Sequence, residues 1–312
     1  MISKTAKAAW AAIENESTKA SLLLGDAFEL ITAIPSSSVD LTVTSPPYCM
    51  GKEYEENSDI RSFIVAHEKL LPEIIRVTKP GGSICWQVGN YLRPRSNEII
   101  PLDYLIFDLM RSFPEMKLRN RIVWTFGHGL HCQQRFSGRY ETILWFTKGS
   151  SYDFDLDAVR VPQKYPGKRS AKGPGKGDLS GNPLGKNPSD VWDIPNVKSN
   201  HIEKTEHPCQ FPVALVQRLV RALCPADGLL LDPFCGVGSS GVAALIEGRR
   251  FIGSELTSKY VKIAQQRLDE AEAGRAKTRP MDLPVLTPRP THRNVQKPEH
   301  FWPNESALAE PI

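Results

Sequence analysis

No apolar run in the chain approaches the ~18 residues that a membrane-crossing helix needs, so helical membrane-spanning classes are excluded. The N-terminal stretch MISKTAKAAWAAIENES has no apolar core and no small-residue cleavage pattern, and a cytoplasmic protein is expected. Cysteine is scarce. The six (Cys49, Cys85, Cys132, Cys209, Cys224 and Cys235) are scattered, and no two form a C-x-x-C pair. Neither a zinc site nor a disulfide framework is indicated, and no metal is expected. There is no internal repeat. Charge of one sign does not dominate: 39 Lys and Arg stand against 35 Asp and Glu, a formal +4. That balance alone is a weak pointer to nucleic acid.

With 312 residues, 40% hydrophobic and 24% charged, the chain suffices for one large α/β domain with insertions or two modest domains. Ala6 to Asn15 has the spacing of a short amphipathic helix. Strand-like stretches follow, each ending in turn or site residues: Leu22-Leu23-Leu24 before Gly25-Asp26, Val39 to Thr44 before Ser45-Pro46-Pro47, and Ser83 to Val88 after the turn Lys79-Pro80-Gly81-Gly82. Arg121 to Phe126 and Thr142 to Phe146 are two more. Helical periodicity fits Ile60 to Val77, Leu102 to Ser112, Phe211 to Leu223, Ser239 to Glu247 and Ser258 to Ala273. Leu229-Leu230-Leu231 and Phe251 to Glu255 read as buried strands. Strands alternating with helices predict a mostly parallel twisted sheet covered by helices on both faces. Between about 150 and 206 the texture turns to Gly, Pro, Lys and Asn, too long for a simple connection. It reads as a functional insertion or a mobile element. From about Arg279 the chain is Pro-rich, and a mobile tail is expected.

Two segments carry chemistry. In Asp232-Pro233-Phe234-Cys235-Gly236-Val237-Gly238-Ser239-Ser240-Gly241 a buried strand feeds a glycine turn that opens a helix. Glycines let a ligand approach the backbone, and the helix start offers free N–H groups. Residues 236–241 match G-x-G-x-x-G, and Glu255 ends the next strand, where an acid serves a ribose diol. A nicotinamide-dinucleotide oxidoreductase fits that pattern, as does a plain tight turn. The second segment is Thr44-Ser45-Pro46-Pro47-Tyr48, at a strand's carboxyl end. Two prolines stiffen the loop, and the Ser45 hydroxyl and a carbonyl offer two acceptors to an amino group. Tyr48 can stack on a flat base. A proline-stiffened strand exit with a surface tyrosine is the plainer reading.

Together these residues resemble the amino-methylating DNA methyltransferases of restriction-modification systems. Ser45-Pro46-Pro47-Tyr48 looks like the family's catalytic motif and Asp232 to Gly238 like its D-P-F-x-G-x-G cofactor motif. The likeness extends to Gly25-Asp26, to His207-Pro208-Cys209-Gln210-Phe211-Pro212 and to Gly253-Ser254-Glu255, covering roughly residues 20 to 272. The catalytic motif precedes the cofactor motif, the order of the circularly permuted beta group. It argues against the glutamine-modifying protein methyltransferases. The resemblance implies a Rossmann-like S-adenosylmethionine-dependent methyltransferase fold and double-stranded DNA as substrate. It also implies, through Ser45 where adenine-specific members usually carry Asp, methylation of cytosine N4, with adenine N6 as the alternative. A catalytically idle DNA-binding relative is disfavoured by the intact pair of motifs.

By the same resemblance Ser45, Pro46, Pro47 and Tyr48 are catalytic. Asp26, Thr44, Asp232, Phe234, Gly236, Gly238, Ser239, Ser240 and Glu255 are expected to hold the cofactor, Glu255 through the ribose and Asp26 through the adenine amino group or the methionine amine. A turn cap is the other reading of Asp26. Ser45 is a weak base, so the amino proton is expected to leave to water, after the base has left the duplex stack. The implied organisation is an N-terminal extension (1–20), a catalytic half (21–150), a target-recognition insertion (151–206), a cofactor-binding half (207–273) and a Pro-rich tail (274–312). In the insertion, Lys164, Lys168, Arg169, Lys172 and Lys176 suit phosphates. A solvated loop would look the same. Arg135 and Arg139, in RNRIVWTFGHGLHCQQRFSGRY with His128 and His131, are further candidates for DNA contact. A homodimer and a cognate restriction endonuclease are the expected protein partners.

Overall fold

The computed structural model describes residues 3–15, 18–48, 59–94, 98–127 and 131–283, with positions 96, 129, 285, 291 and 296 besides. Cys49, His128 and most of the Pro-rich tail lie outside them. Met1–Met281 form one compact unit and Asp282–Ile312 another. All the regular elements belong to the first.

In chain order the elements are α1 (Lys4–Glu14), β1 (Ala20–Leu24), α2 (Ala27–Ala33), β2 (Val39–Thr44), α3 (Ile60–Val77), β3 (Thr78–Val88), β4 (Asn90–Leu92), β5 (Ile99–Pro101) and α4 (Leu102–Met110). There follow β6 (Met116–Thr125), β7 (Tyr140–Lys148), a short 3₁₀ turn (Asp157–Val159), β8 (Val191–Asp193), α5 (Val213–Leu223), β9 (Leu229–Asp232), α6 (Ser239–Ile246), β10 (Arg250–Glu255) and α7 (Ser258–Glu272). Eight strands form one sheet in the order β1-β10-β9-β2-β3-β7-β6-β8, and β4 pairs with β5 alone. From β1 to β3 every pairing is parallel. Strand β7 runs antiparallel to β3 and β6. The expected mostly parallel α/β sheet is therefore present.

Period-2 alternation divides the strands between two cores. Ile84, Trp86 and Val88 of β3, Leu144 and Phe146 of β7 and Leu229 and Leu231 of β9 face the cluster built with α1 to α4. Cys85, Ile143, Trp145 and Leu230 face the cluster built with α5 to α7. Val39 and Leu41 should share a face by this rule, yet they fall in opposite clusters. A register shift between them in the β2–β3 pairing explains it. An extra residue in a ladder flips the side chains beyond it. Asp40 stands at the shift and ties β2 to both its neighbours, β3 and β9. It takes the Lys79 ammonium at 2.8 and 2.9 Å and the Leu229 N–H at 2.8 Å.

The strand reading at 39–44 and the helix reading at 60–77 hold to the residue. Strand β3 begins earlier than expected, at Thr78, and carries the Pro80-Gly81-Gly82 stretch within it, with Gly81 at φ +82°. The 150–206 stretch is folded back on itself. Isolated antiparallel bridges pair Val161 with Lys186 and Arg169 with Leu179. Beyond them β8 adds a strand parallel to β6. No described helix is long and apolar enough to cross a membrane.

Candidate active site

Strand β9 leads through α6 to β10 on one side, and β2 leads through α3 to β3 on the other. The strand order therefore reverses between β9 and β2. In open α/β sheets a ligand crevice forms at such a point, outside the carboxyl ends of the strands. Those two ends are Asp232 and Thr44, the last residues before the two motifs.

The motifs are bonded to each other at their roots. The Thr44 hydroxyl donates to Asp232 Oδ1 at 2.6 Å, the Phe234 N–H donates to the same oxygen at 3.1 Å, and the Ser240 hydroxyl donates to Oδ2. Thr44, Asp232 and Ser240 are fully buried. Burial pushes the Asp232 carboxyl up to about 6, against the pull of its three donors. Thus Thr44, Asp232 and Ser240, three of the expected cofactor contacts, lie beneath the crevice and fix its two walls to one another.

The crevice above them holds about 140 Å³ and is lined by Asp26, Ser45, Pro46, Pro47, Tyr48, Phe234, Gly236, Ser239 and Glu255. Both sequence motifs thus meet in one cavity. Gly236 and Gly238 have φ of +52° and +75°, a conformation that a side chain disfavours. A Cβ on Gly236 would stand 3.2 Å from His207 Nε2. The turn is a cradle with no room for side chains, as close approach by a ligand requires. Arg267 of α7 clamps it from outside, its Nη1 donating to the Val237 carbonyl at 2.6 Å. The Glu255 Oε1 accepts the Thr257 N–H at 2.7 Å, which orients the carboxylate at the rim. Asp26 is exposed and is the N-cap of α2, taking the Phe28 N–H at 2.8 Å. The cap reading of Asp26 holds, and its place on the cavity wall stands beside it.

On the β2 side, Ser45 and Tyr48 are half-buried, Pro46 is buried and Pro47 exposed. The Ser45 and Tyr48 hydroxyls lie 2.7 Å apart, and the Tyr48 hydroxyl also donates to the Gln87 carbonyl at 3.2 Å. These bonds fix the plane of the tyrosine ring. Three further residues stand here: His207, read from the sequence only as part of the family likeness, and Gln87 and Glu141, which the sequence did not single out. His207 lines the cavity with its ring edge-on to Tyr260. Burial lowers it to about 4, so it is neutral at pH 7. Gln87 and Glu141, from β3 and β7, stand beside Tyr48.

The basic candidates lie elsewhere. Lys164, Lys168, Arg169, Lys172 and Lys176 are all exposed on the 161–186 hairpin. The hairpin is held by bonds within itself, such as Arg169 Nη1 to the Gly177 carbonyl at 2.6 Å. Arg135 is exposed and Arg139 half-buried in the loop between β6 and β7. That loop leaves the sheet at the edge where β3 ends, because β7 runs antiparallel to β3. Among the described residues, no group of three His, Cys, Asp or Glu side chains is placed to hold a metal.

Comparison with known proteins meets this geometry. A family model described as DNA methylase, covering the N6 and N4 enzymes, matches residues 39–266. The type II methyltransferase M.BglII of Bacillus subtilis is 46% identical over 245 residues, which cover 78% of this chain and 67% of that one. The PvuII DNA methyltransferase (cytosine-N4-specific) shares the fold with a TM-score of 0.64 at 20% identity, over 82% of this chain and 92% of the other. A Thermus thermophilus protein described as a DNA modification methylase was solved complexed with S-adenosyl-L-methionine. It has a TM-score of 0.59 and 28% identity, over 81% of this chain and 94% of its own. The family uses S-adenosyl-L-methionine, and the glycine cradle beside Glu255 is of the kind such a nucleoside cofactor needs. The chain belongs to the N6/N4 DNA methylase family and is a DNA methyltransferase.

Proposed function

We propose that the protein methylates the exocyclic N4 of cytosine in double-stranded DNA, with the target base turned out of the duplex. The observation that carries this reading is the meeting of Ser45, Pro46 and Tyr48 with the glycine cradle around one crevice. Ser45, where an adenine-specific member would carry Asp, supports cytosine over adenine.

When bound, S-adenosyl-L-methionine supplies an electrophilic methyl group on a sulfonium. The chain's own residues do the rest. Glu255 is placed to take the ribose hydroxyls, while the turn at Gly236 admits the remainder and Gly238 lets that turn pack against Ala264 of α7. His207, being neutral, adds no positive charge beside a cationic ligand. An exocyclic amino nitrogen is a poor nucleophile, because its lone pair is drawn into the ring. Its two N–H groups would be accepted by the Ser45 hydroxyl and the Pro46 carbonyl, turning the lone pair out of the ring plane. Tyr48, its ring held by Ser45 and Gln87, offers a face on which the base can stack. Most of the rate gain in such a site comes from orientation.

Two regions would hold the DNA. The 161–186 hairpin, within the proposed target-recognition insertion at 151–206, presents Lys164, Lys168, Arg169, Lys172 and Lys176 to phosphates. The β6–β7 loop brings Arg135 and Arg139 to the edge where β3 ends. Pairing with an endonuclease of the same site fits a chain related to type II modification enzymes.

Methyl transfer to unmethylated genomic DNA, digestion to nucleosides and mass spectrometry test the reading. N4-methylcytosine is expected. N6-methyladenine in its place would move the target to adenine. Thermal stabilisation by NAD and none by S-adenosyl-L-methionine would remove the methyl-transfer reading altogether.

A further inference from the structure

A glutamate that the scheme above leaves unused lies against the tyrosine of the catalytic motif. Glu141 is the second residue of β7, opposite Trp124 of β6. It is half-buried. Its carboxylate accepts a hydrogen bond from Gln87 Nε2 and stands within hydrogen-bond reach of the Tyr48 hydroxyl, whose one proton it shares with the Gln87 carbonyl. Gly89 shows how close the two side chains stand. A Cβ placed there would lie 3.4 Å from Tyr48 Cε2 and 3.6 Å from Glu141 Cγ. With Ser45 Oγ 2.7 Å from Tyr48 Oη, hydrogen bonds run unbroken from the amino-group site through Tyr48 to Glu141.

We propose that Glu141 is the final acceptor of the proton that the target amino group loses, reached through the hydroxyls of Ser45 and Tyr48. The proposal rests on the amino-methylation reading above. As the N–CH3 bond forms, the S–CH3 bond breaks and its electron pair stays on sulfur, leaving a neutral thioether. The nitrogen then carries one proton too many. It passes that proton to Ser45 Oγ, which passes its own to Tyr48 Oη, which passes its own to the Glu141 carboxylate. The positive charge that arrived on sulfur thus ends by neutralising Glu141, and the methylated base leaves uncharged.

The chemistry explains why a relay is useful here. A carboxylate in place of Ser45 could take the proton directly, whereas a serine hydroxyl can only hand it on. The negative charge is thus set back from the base, on β7. Burial raises the Glu141 carboxyl to about 7, against the pull of Gln87, Lys198 and Tyr48. Lys198 is the charged group acting on it and Tyr48 the titratable one; β3 and β6 bring Gln87 and Trp124, which carry no charge. Near neutral pH such a group can both take a proton and release it for the next turnover.

Single-turnover methyl transfer measured from pH 5.5 to 9 tests the relay in the wild type, Glu141→Gln and Tyr48→Phe. The wild-type rate should fall as pH drops through about 7. Both variants should be slower by about a hundredfold and lack that inflection, with cofactor affinity and the KM for DNA unchanged. Infrared absorption of the protein without DNA should show a carboxylic-acid band that titrates near neutrality and is missing from Glu141→Gln. If Glu141→Gln does not fold, as judged by its cofactor affinity, Tyr48→Phe decides. A variant that keeps both the wild-type rate and its inflection overturns the relay. A wild type that forms no methylated amino base overturns the amino-methylation reading, and the relay with it.

Discussion

Thr44→Val removes one donor from the buried carboxylate that joins the two halves of the site, and its cost can be worked out. Valine has nearly the shape of threonine, so no cavity opens at this fully buried position. What is lost is the 2.6 Å bond to Asp232 Oδ1, on which the Phe234 N–H remains. At pH 8 Asp232, held up to about 6, is ionised, and a hydrogen bond to a charged group is worth about 2 kcal/mol. At pH 5 it is mostly protonated, and the loss should shrink to about 1 kcal/mol. The sign follows from the shift. A carboxyl whose folded value is raised favours the proton in the native state, so ionisation costs stability as pH rises from the ordinary aspartate range to about 6. Removing a donor to the ionised form deepens that cost. The gap between wild type and variant should therefore widen with pH. Urea unfolding at the two pH values, with m unchanged, is the assay. A loss below about 0.5 kcal/mol, or one equal at both pH values, would refute the reasoning and leave the β2–β9 seam to its backbone ladder and the Asp40 bond to the Leu229 N–H.

Other outcomes follow from the same geometry. Gly236→Ala places a Cβ at positive φ and 3.2 Å from His207 Nε2, so calorimetry should show S-adenosylhomocysteine binding weakened at least tenfold, by about 1.4 kcal/mol or more. Glu255→Gln should weaken the same ligand by about 1.5–3 kcal/mol; unaltered affinity would take Glu255 out of the site. Neutralising Lys168, Arg169, Lys172 and Lys176 should make the salt dependence of DNA binding shallower by about 0.9 for each phosphate no longer neutralised, and an unchanged slope would free the hairpin of phosphate. His67 is buried and lowered to about 4. As pH falls from 6.5 towards 4 the unfolded chain gains a proton that the fold refuses. The wild type should therefore lose about 3 kcal/mol relative to His67→Phe over that window, by urea midpoints.

The long elements were legible because their signals are local. VDLTVT is β-branched and stops at Ser45-Pro46-Pro47, and the residues of Ile60 to Val77 repeat at helical spacing straight through Pro72. Helix α2 was missed for its shortness, seven residues. Yet Asp26 followed by Glu29 is a capping-box pattern that marks its start. Strand β8 is three residues long and owes its existence to pairing with β6, which no local pattern announces. Both motifs were readable as segments. Their junction through Thr44 and Asp232 was not, since it is a tertiary bond. Glu141 was hidden for the opposite reason. In YETILWFTK it looks like a polar residue at an exposed strand start, and its contacts with Gln87 of β3 and with Tyr48 are tertiary.

The seam between β2 and β9 also sets a timing problem for synthesis. Thr44 and Asp232 lie 188 residues apart. At roughly 5–20 residues per second, β2 waits on the order of ten to forty seconds for the strand that will cover one of its edges. An open edge of β-branched residues is a template for pairing with another chain. Asp40 sits on this strand, and in the native sheet its carboxylate takes the Leu229 N–H and the Lys79 ammonium. Before β9 arrives, only the Lys79 ammonium is there to take that carboxylate, and the oxygen that will accept the Leu229 N–H leaves a charged pair on the open edge. A charged pair on an open edge disfavours edge-to-edge pairing, so the residue that closes the seam in the native sheet is also one that would oppose aggregation before it closes.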